Sequence, residues 1–213
     1  MGNNLNDEYV KYLLGGKAMA INYNTYISQI QTIAGQSNAV NITRSVSRLK
    51  SVFITLNCDH AALTPEELIQ HSAFNTFFHP MSNTPTFSDQ DLYNPNFEHE
   101  WQVQIGSRLF PEYSCRSVSE TYYQLMKCLG ILNSNFHSVD IDSRDYRHLK
   151  YIIGLDLERV LGAGFTGINT KAGDLMTIKT KSLSSGINAT QMHVILHADC
   201  ILDISDNGVQ VFE

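Results

Sequence analysis

The sequence predicts a mainly β fold, an antiparallel β-sandwich with short helices inserted in its connections. Three observations carry that prediction. Segments in which apolar and polar residues alternate outnumber segments with a helical period. Strands and helices do not alternate in the βαβ rhythm that a parallel sheet needs. Glycine-containing turns separate the later strands, the last of them a tight "SDNG".

A first helix is expected over about 5–14, in "NLNDEYVKYLL", because the pattern stops at Gly15 and Gly16. "AINYNTYISQIQTI" then changes period. Ile21, Tyr23, Thr25, Ile27, Gln29 and Gln31 fall on one face of a strand, with Asn22, Asn24, Tyr26, Ser28 and Ile30 on the other. "RSVSRLKSVFITL" reads as a second strand, rich in β-branched residues. Thr64, Pro65 and Glu67 form a capping box that opens a helix over about 65–78. A long loop rich in Pro, Asn and Ser follows, then "EWQVQIGSRLF" as a strand with Trp101, Val103 and Ile105 on one side. Ser117 and Glu120 cap a helix over about 118–129 that ends at Gly130. The remaining strands are "HLKYIIGLDLERVL", "DLMTIKTKSL", "QMHVILHADCILDI" and "VQVFE".

The composition bounds the function. A chain of 213 residues buries a core without disulfides and is expected to form one domain over 1–213. Its charged fraction, 17%, is below the usual quarter or so, as in proteins that cover their surface with partners. The net charge of -6 argues against a general nucleic-acid binder. Cys58, Cys115, Cys128 and Cys200 show no C-x-x-C spacing, so buried free thiols in a reducing compartment are expected. No leader-like segment and no apolar run of about 18 residues is visible, so the expectation is a soluble protein made in the cytosol, not secreted and not bound to a membrane.

The motifs that look chemical lose force once their context is read. "GAGFTG" at 162–167 matches G-x-G-x-x-G, but "INTKAGDLMTIKTK" follows it, a turn and a strand where a pyrophosphate site needs a helix N-terminus. Those glycines are expected to serve sharp turns and positive φ. In "MHVILHADCILDI", His193, His197, Asp199 and Asp203 share a strand face with Ile195 and Ile201, opposite a row of Val194, Leu196, Ala198, Cys200, Leu202 and Ile204. Residues four apart on a strand are roughly 13 Å apart, so His193 and His197 do not share one ion. Cys58, Asp59 and His60 resemble pieces of a thiol catalytic set, but adjacent residues on an extended chain point to opposite sides and do not easily form a dyad, so a turn after a strand is expected. No catalytic set, cofactor site or metal site is expected. Arg44, Arg48 and Lys50 in "TRSVSRLK" are read as one side of a strand, a solvated face or a local contact for phosphate or an acidic partner.

The C-terminal third, "YIIGLDLERVLGAGFTGINTKAGDLMTIKTKSL" with "MHVILHADCILDISDNGVQVFE", resembles the closing strands of jelly-roll major capsid proteins of eukaryotic DNA viruses and of Polinton (Maverick)-like elements. "WQVQIGSRLFPEY" and the helix "SVSETYYQL" are similar to a mid-domain strand and inserted helix of such proteins. The resemblance covers about half of the chain. It implies an eight-stranded viral jelly roll that self-assembles into a capsid-like particle, with copies of itself and other capsid proteins as partners, no cofactor, no enzymatic activity and a place in the virion. Nucleic acid would be met at most through a local basic face. Double jelly-roll proteins of that group are longer, so the chain would correspond to one of two sandwiches, an excised domain, or a single-roll relative.

Contact surfaces are then expected at the loop around Tyr93, Asn94 and Phe97, at Arg44 and Arg48, and at the turn of Phe165 and Thr166. The alternative is a monomeric β-sandwich module for a ligand or glycan, with Trp101 or exposed tyrosines as an aromatic platform. An exposed Trp101 would favour that module, and a buried Trp101 the shell.

Overall fold

Alternation with period two builds β1 (Met19–Thr32), β2 (Ser37–Ile42), β3 (Leu49–Asn57), β4 (His99–Ile105), β5 (Arg108–Cys115), β6 (Ile152–Asp156), β7 (Met176–Ser182), β8 (Gln191–Ser205) and β9 (Gly208–Phe212). Helices α1 (Asn3–Leu14), α2 (Val118–Cys128) and α3 (Ser143–His148) lie between or before them. The structure, a computed structural model, describes residues 3–57, 77, 79–80, 98–132, 136, 138–148, 150–158, 167–171, 173, 175–182, 189–206 and 208–212.

The first eight strands pair antiparallel, the first with the last: β1 with β8, β2 with β7, β3 with β6 and β4 with β5. That is the pairing of one long ribbon folded back on itself at the β4–β5 turn. Rolling the ribbon adds β3 against β8 and β4 against β7. Two sheets result, β1-β8-β3-β6 and β2-β7-β4-β5, which is the strand order of a jelly roll. β9 returns on β8 as a hairpin beyond the end of β3.

The inner rows of the two sheets face one another and supply the core. Val52, Ile54, Leu56, Ile153, Met192, Val194 and Leu196 come from one sheet, and Val40, Trp101, Val103, Ile105 and Ile178 from the other; all are buried. Helix α2 starts as its sequence dictates. Ser117 Oγ accepts from Glu120 N at 3.1 Å, while Glu120 Oε2 accepts from Ser117 N at 3.3 Å and Arg116 N at 2.9 Å. These backbone bonds hold the Glu120 carboxyl below its ordinary pKa. The helix then packs on β6 at Gly154, where an added Cβ would stand 2.9 Å from Leu125 Cδ1.

Several expectations need correction. "EWQVQIGSRLF" is not one strand but a hairpin, reversed at Gly106 with φ of 59°. β2 and α3 were not anticipated; the signal for α3 was Asp142, whose Oδ1 accepts from Asp145 N at 2.7 Å as a helix cap. Residues 44–48 are not strand, because β3 begins at Leu49. The helix expected over 65–78 lies outside the described residues, except that Phe77 forms a parallel bridge with Lys150 and is therefore extended.

Candidate assembly surface

The three basic residues expected on one strand face are separated by the fold. Arg44 and Arg48 belong to the β2–β3 connection, which is tied to a distant part of the chain. Thr170 Oγ1 accepts from Val46 N at 2.8 Å, Thr170 N donates to Val46 O at 2.9 Å, and Val46 is buried. Such long-range anchoring overrides the local alternation of Arg44, Val46 and Arg48. Lys50 is on β3, but its ammonium lies 3.0 Å from Glu158 and 3.5 Å from the buried Asp199. Burial works to lower the Lys50 pKa, and the hydrogen bond to Glu158 with the charges of Asp199 and Glu158 outweighs it, leaving it raised. Lys50 is thus committed to an ion-pair network and not offered to a phosphate. Tyr93, Asn94, Phe97, Phe165 and Thr166 lie outside the described residues.

Gly167, the last glycine of "GAGFTG", has a reason to be glycine. Its φ is 148°, and an added Cβ would lie 2.8 Å from the backbone of Arg48 and Leu49. Ile168 then bridges Leu49 by two backbone bonds of 2.9 Å, and the next described element is strand β7. The glycine is there so that two backbones can meet.

On β8 the apolar row is buried from Met192 through Cys200, and the opposite row carries the polar groups. Ser51 Oγ lies 3.0 Å from His197 Nδ1, and the Tyr26 ring stacks on the His197 ring at 4.7 Å. Burial lowers the His197 pKa, with Lys50 adding to the effect. Among the described residues no three His, Cys, Asp or Glu side chains are grouped so as to hold a metal ion. Cys115, Cys128 and Cys200 are not joined in disulfides. Burial pushes the Cys115 thiol up to about 11 and the Cys128 thiol up to about 12, the reverse of what a thiolate nucleophile needs. Cys58, Asp59 and His60 lie outside the described residues.

Trp101 is fully buried, and its indole N–H donates to Thr121 Oγ1 at 2.9 Å. It is a core residue that ties β4 to α2 and cannot be a binding platform. Exposed aromatic surface occurs elsewhere. A cleft of about 480 Å³ between β5 and α2 is lined by Tyr113 and Tyr123 with Glu112, Ser119 and Gln124.

A larger exposed surface continues the first sheet past its core. On the inner face, Ile21 of β1 stands opposite Leu202 of β8 and through it Val211 of β9, and Met19, Ile204 and Val209 form the next row. Ile21 is 42% exposed, Val209 61% and Val211 51%, whereas Leu196 and Cys200 farther along the same face are buried. The three strands therefore form an arm with one apolar face that no described element covers. Alternation predicted which residues share that face; where the core stops along it was not legible.

This architecture has a counterpart among solved structures. Over 99% of its length the chain superposes on PBCV-1 VP54, from a crystal structure fitted into a cryo-EM reconstruction of the virophage Sputnik, with a TM-score of 0.50 and 9% identity. The chain has the fold of a viral major capsid jelly roll. It spans 54% of the length of VP54. The PBCV-1 virus capsid in a quasi-atomic model (TM-score 0.47, 8% identity, 90% of this chain and 51% of that one) and the Sputnik virophage at 3.5 Å (0.44, 9%, 91% and 38%) are also similar. No protein-family model and no curated protein matches the sequence.

Proposed function

We propose that this jelly-roll chain is a capsid subunit that works by association with copies of itself and with other capsid proteins, and not by catalysis. The observation that carries the reading is the pairing of a complete jelly-roll strand order with an apolar sheet arm that outruns its own core. A jelly roll presents its loops and sheet ends to neighbours in a closed shell, and a low-charge surface lowers the cost of burying them. The superposition on VP54 supports the reading at the level of fold. Its place would then be the virion. The loop around Tyr93, Asn94 and Phe97 and the turn at Phe165 and Thr166 remain proposed contact surfaces, and Arg44 and Arg48 a proposed local basic contact.

A second reading, a module for a ligand or glycan, is favoured by the cleft with Tyr113 and Tyr123. Light scattering after size exclusion over a concentration and salt series, with electron microscopy of the heaviest fraction, separates the two. Discrete oligomers or shells are the expected result. A strict monomer under all conditions would overturn assembly and move the cleft to first place.

A further inference from the structure

The first sheet ends on a strand that, among the described residues, carries none of the guards present on the other edges. β1 pairs residue for residue with β8 over fourteen residues, from Met19 opposite Ile204 to Thr32 opposite Gln191, without a bulge. It contains no charged residue and no proline, and no charged residue occurs anywhere from 18 to 43. Folded proteins normally protect a free edge with charge, proline, a bulge, shortness or a covering element. β5 has Arg108, Pro111 and Glu112 and a register break against β4. β2 is six residues long, and β6 lies under α2 at Gly154. Among the described residues β1 has none of these, and no strand lies on its outer side.

We propose that β1 is a seam between two copies of this chain, the two β1 strands pairing antiparallel about a two-fold axis so that the sheet runs from one copy into the other. This rests on the shell-forming reading above and names a surface for it. The outward N–H and C=O groups of an extended strand are matched by another extended strand, and a two-fold axis supplies one without any further partner. An axis perpendicular to the sheet keeps faces together. The row of Ile21, Tyr23, Thr25 and Ile27 then meets its own kind, as does the row of Asn22, Asn24, Tyr26 and Ser28, and no like charges are opposed.

The same axis accounts for the arm. Placed at Tyr26, near the middle of the strand, it sets residues 20–25 of one copy beside residues 27–32 of the other, with Asn24 opposite Ser28. In that second half the sandwich rises over β1, since Gln29 Nε2 donates to Asn41 O at 3.3 Å and Gln29 Oε1 accepts from Thr43 N at 3.2 Å. The open face of Ile21, Leu202 and Val211 thereby gains the flank of the partner's sandwich as a wall. A fourteen-residue edge about 46 Å long and about 10 Å deep, with the arm face of about 280 Å², offers on the order of 700 Å² per copy, near the ~800 Å² per partner of a standard interface.

The test compares the full chain with an N24K/S28K variant, both positions being exposed on β1, by sedimentation velocity over a concentration series and by amide hydrogen exchange. In the wild-type protein, roughly half of the β1 amides, those pointing away from β8, should become protected as oligomer forms. The variant should raise the dissociation constant by about tenfold or more, with an unchanged melting temperature of the monomer showing that it folds. Association of the variant as tight as wild type, with fast-exchanging outward amides, would overturn the seam and leave shell formation standing on another surface. Outward amides already protected in dilute monomer would also overturn it, since a segment of the same chain would then cover the edge. A wild type that never associates removes the seam and the shell reading together.

Discussion

Lowering the pH from about 7 to about 4 should loosen the sandwich through His99, at the start of β4. Its side chain is buried, Nδ1 has no hydrogen-bond partner among the described residues, and the His79 ring meets it edge-on at 5.9 Å. Burial disfavours the charged imidazolium and lowers the pKa from 6.5 to about 4. In the unfolded chain the imidazole takes its proton near the ordinary value. The folded state therefore keeps this contribution above about pH 6.5 and loses it as the pH falls toward 4, where the loss levels off. The gap between the two values corresponds to about 3 kcal/mol, or roughly 6–12 °C in Tm for a chain of this size. Carboxylates titrate in the same window, so the measurement is a difference. Thermal melts of the wild type and of His99→Gln are compared between about pH 7 and pH 4. The variant should start less stable but show a smaller drop by about 3 kcal/mol. Equal drops in the two proteins would refute the assignment of acid sensitivity to His99.

Two further substitutions probe the packing. Gly167→Ala should cost more than the usual 1–3 kcal/mol of overpacking, because the new Cβ would lie 2.8 Å from backbone atoms of Arg48 and Leu49 that cannot step aside as a side chain would; urea unfolding measures it. Thr121→Val should cost about 1–3 kcal/mol in the same assay, since it strands the buried Trp101 N–H and also removes the bond from Thr121 Oγ1 to Ser117 O. A near-neutral result there would mean that Trp101 finds another acceptor.

Local chemistry determined the pieces that could be read from the sequence by itself. The capping box of Ser117 and Glu120 works within four residues, so α2 starts where those two residues place it. Strict alternation over "QMHVILHADC" set which β8 side chains face inward, because a period of two needs no knowledge of the partner. The glycine at 167 announced a special backbone, and its neighbours announced that no helix would follow.

Tertiary structure decided the rest, through contacts between residues far apart in the chain. Val46 and Thr170 are 124 residues apart, and their hydrogen bonds turn an alternating stretch into a loop, separating Arg44 and Arg48 from Lys50. Lys50 looked like a surface cation until Glu158 and Asp199 were brought to it. Trp101 could have been a platform or a core residue, and only the packing of the two sheets, with Thr121 of α2 accepting its indole N–H, made it core. β1 shows the division most clearly. Its uncharged alternating sequence made it a strand, but whether it lay inside a sheet or at its edge depended on the order in which the ribbon rolled. That order is set by pairings across most of the chain, and no local period encodes them.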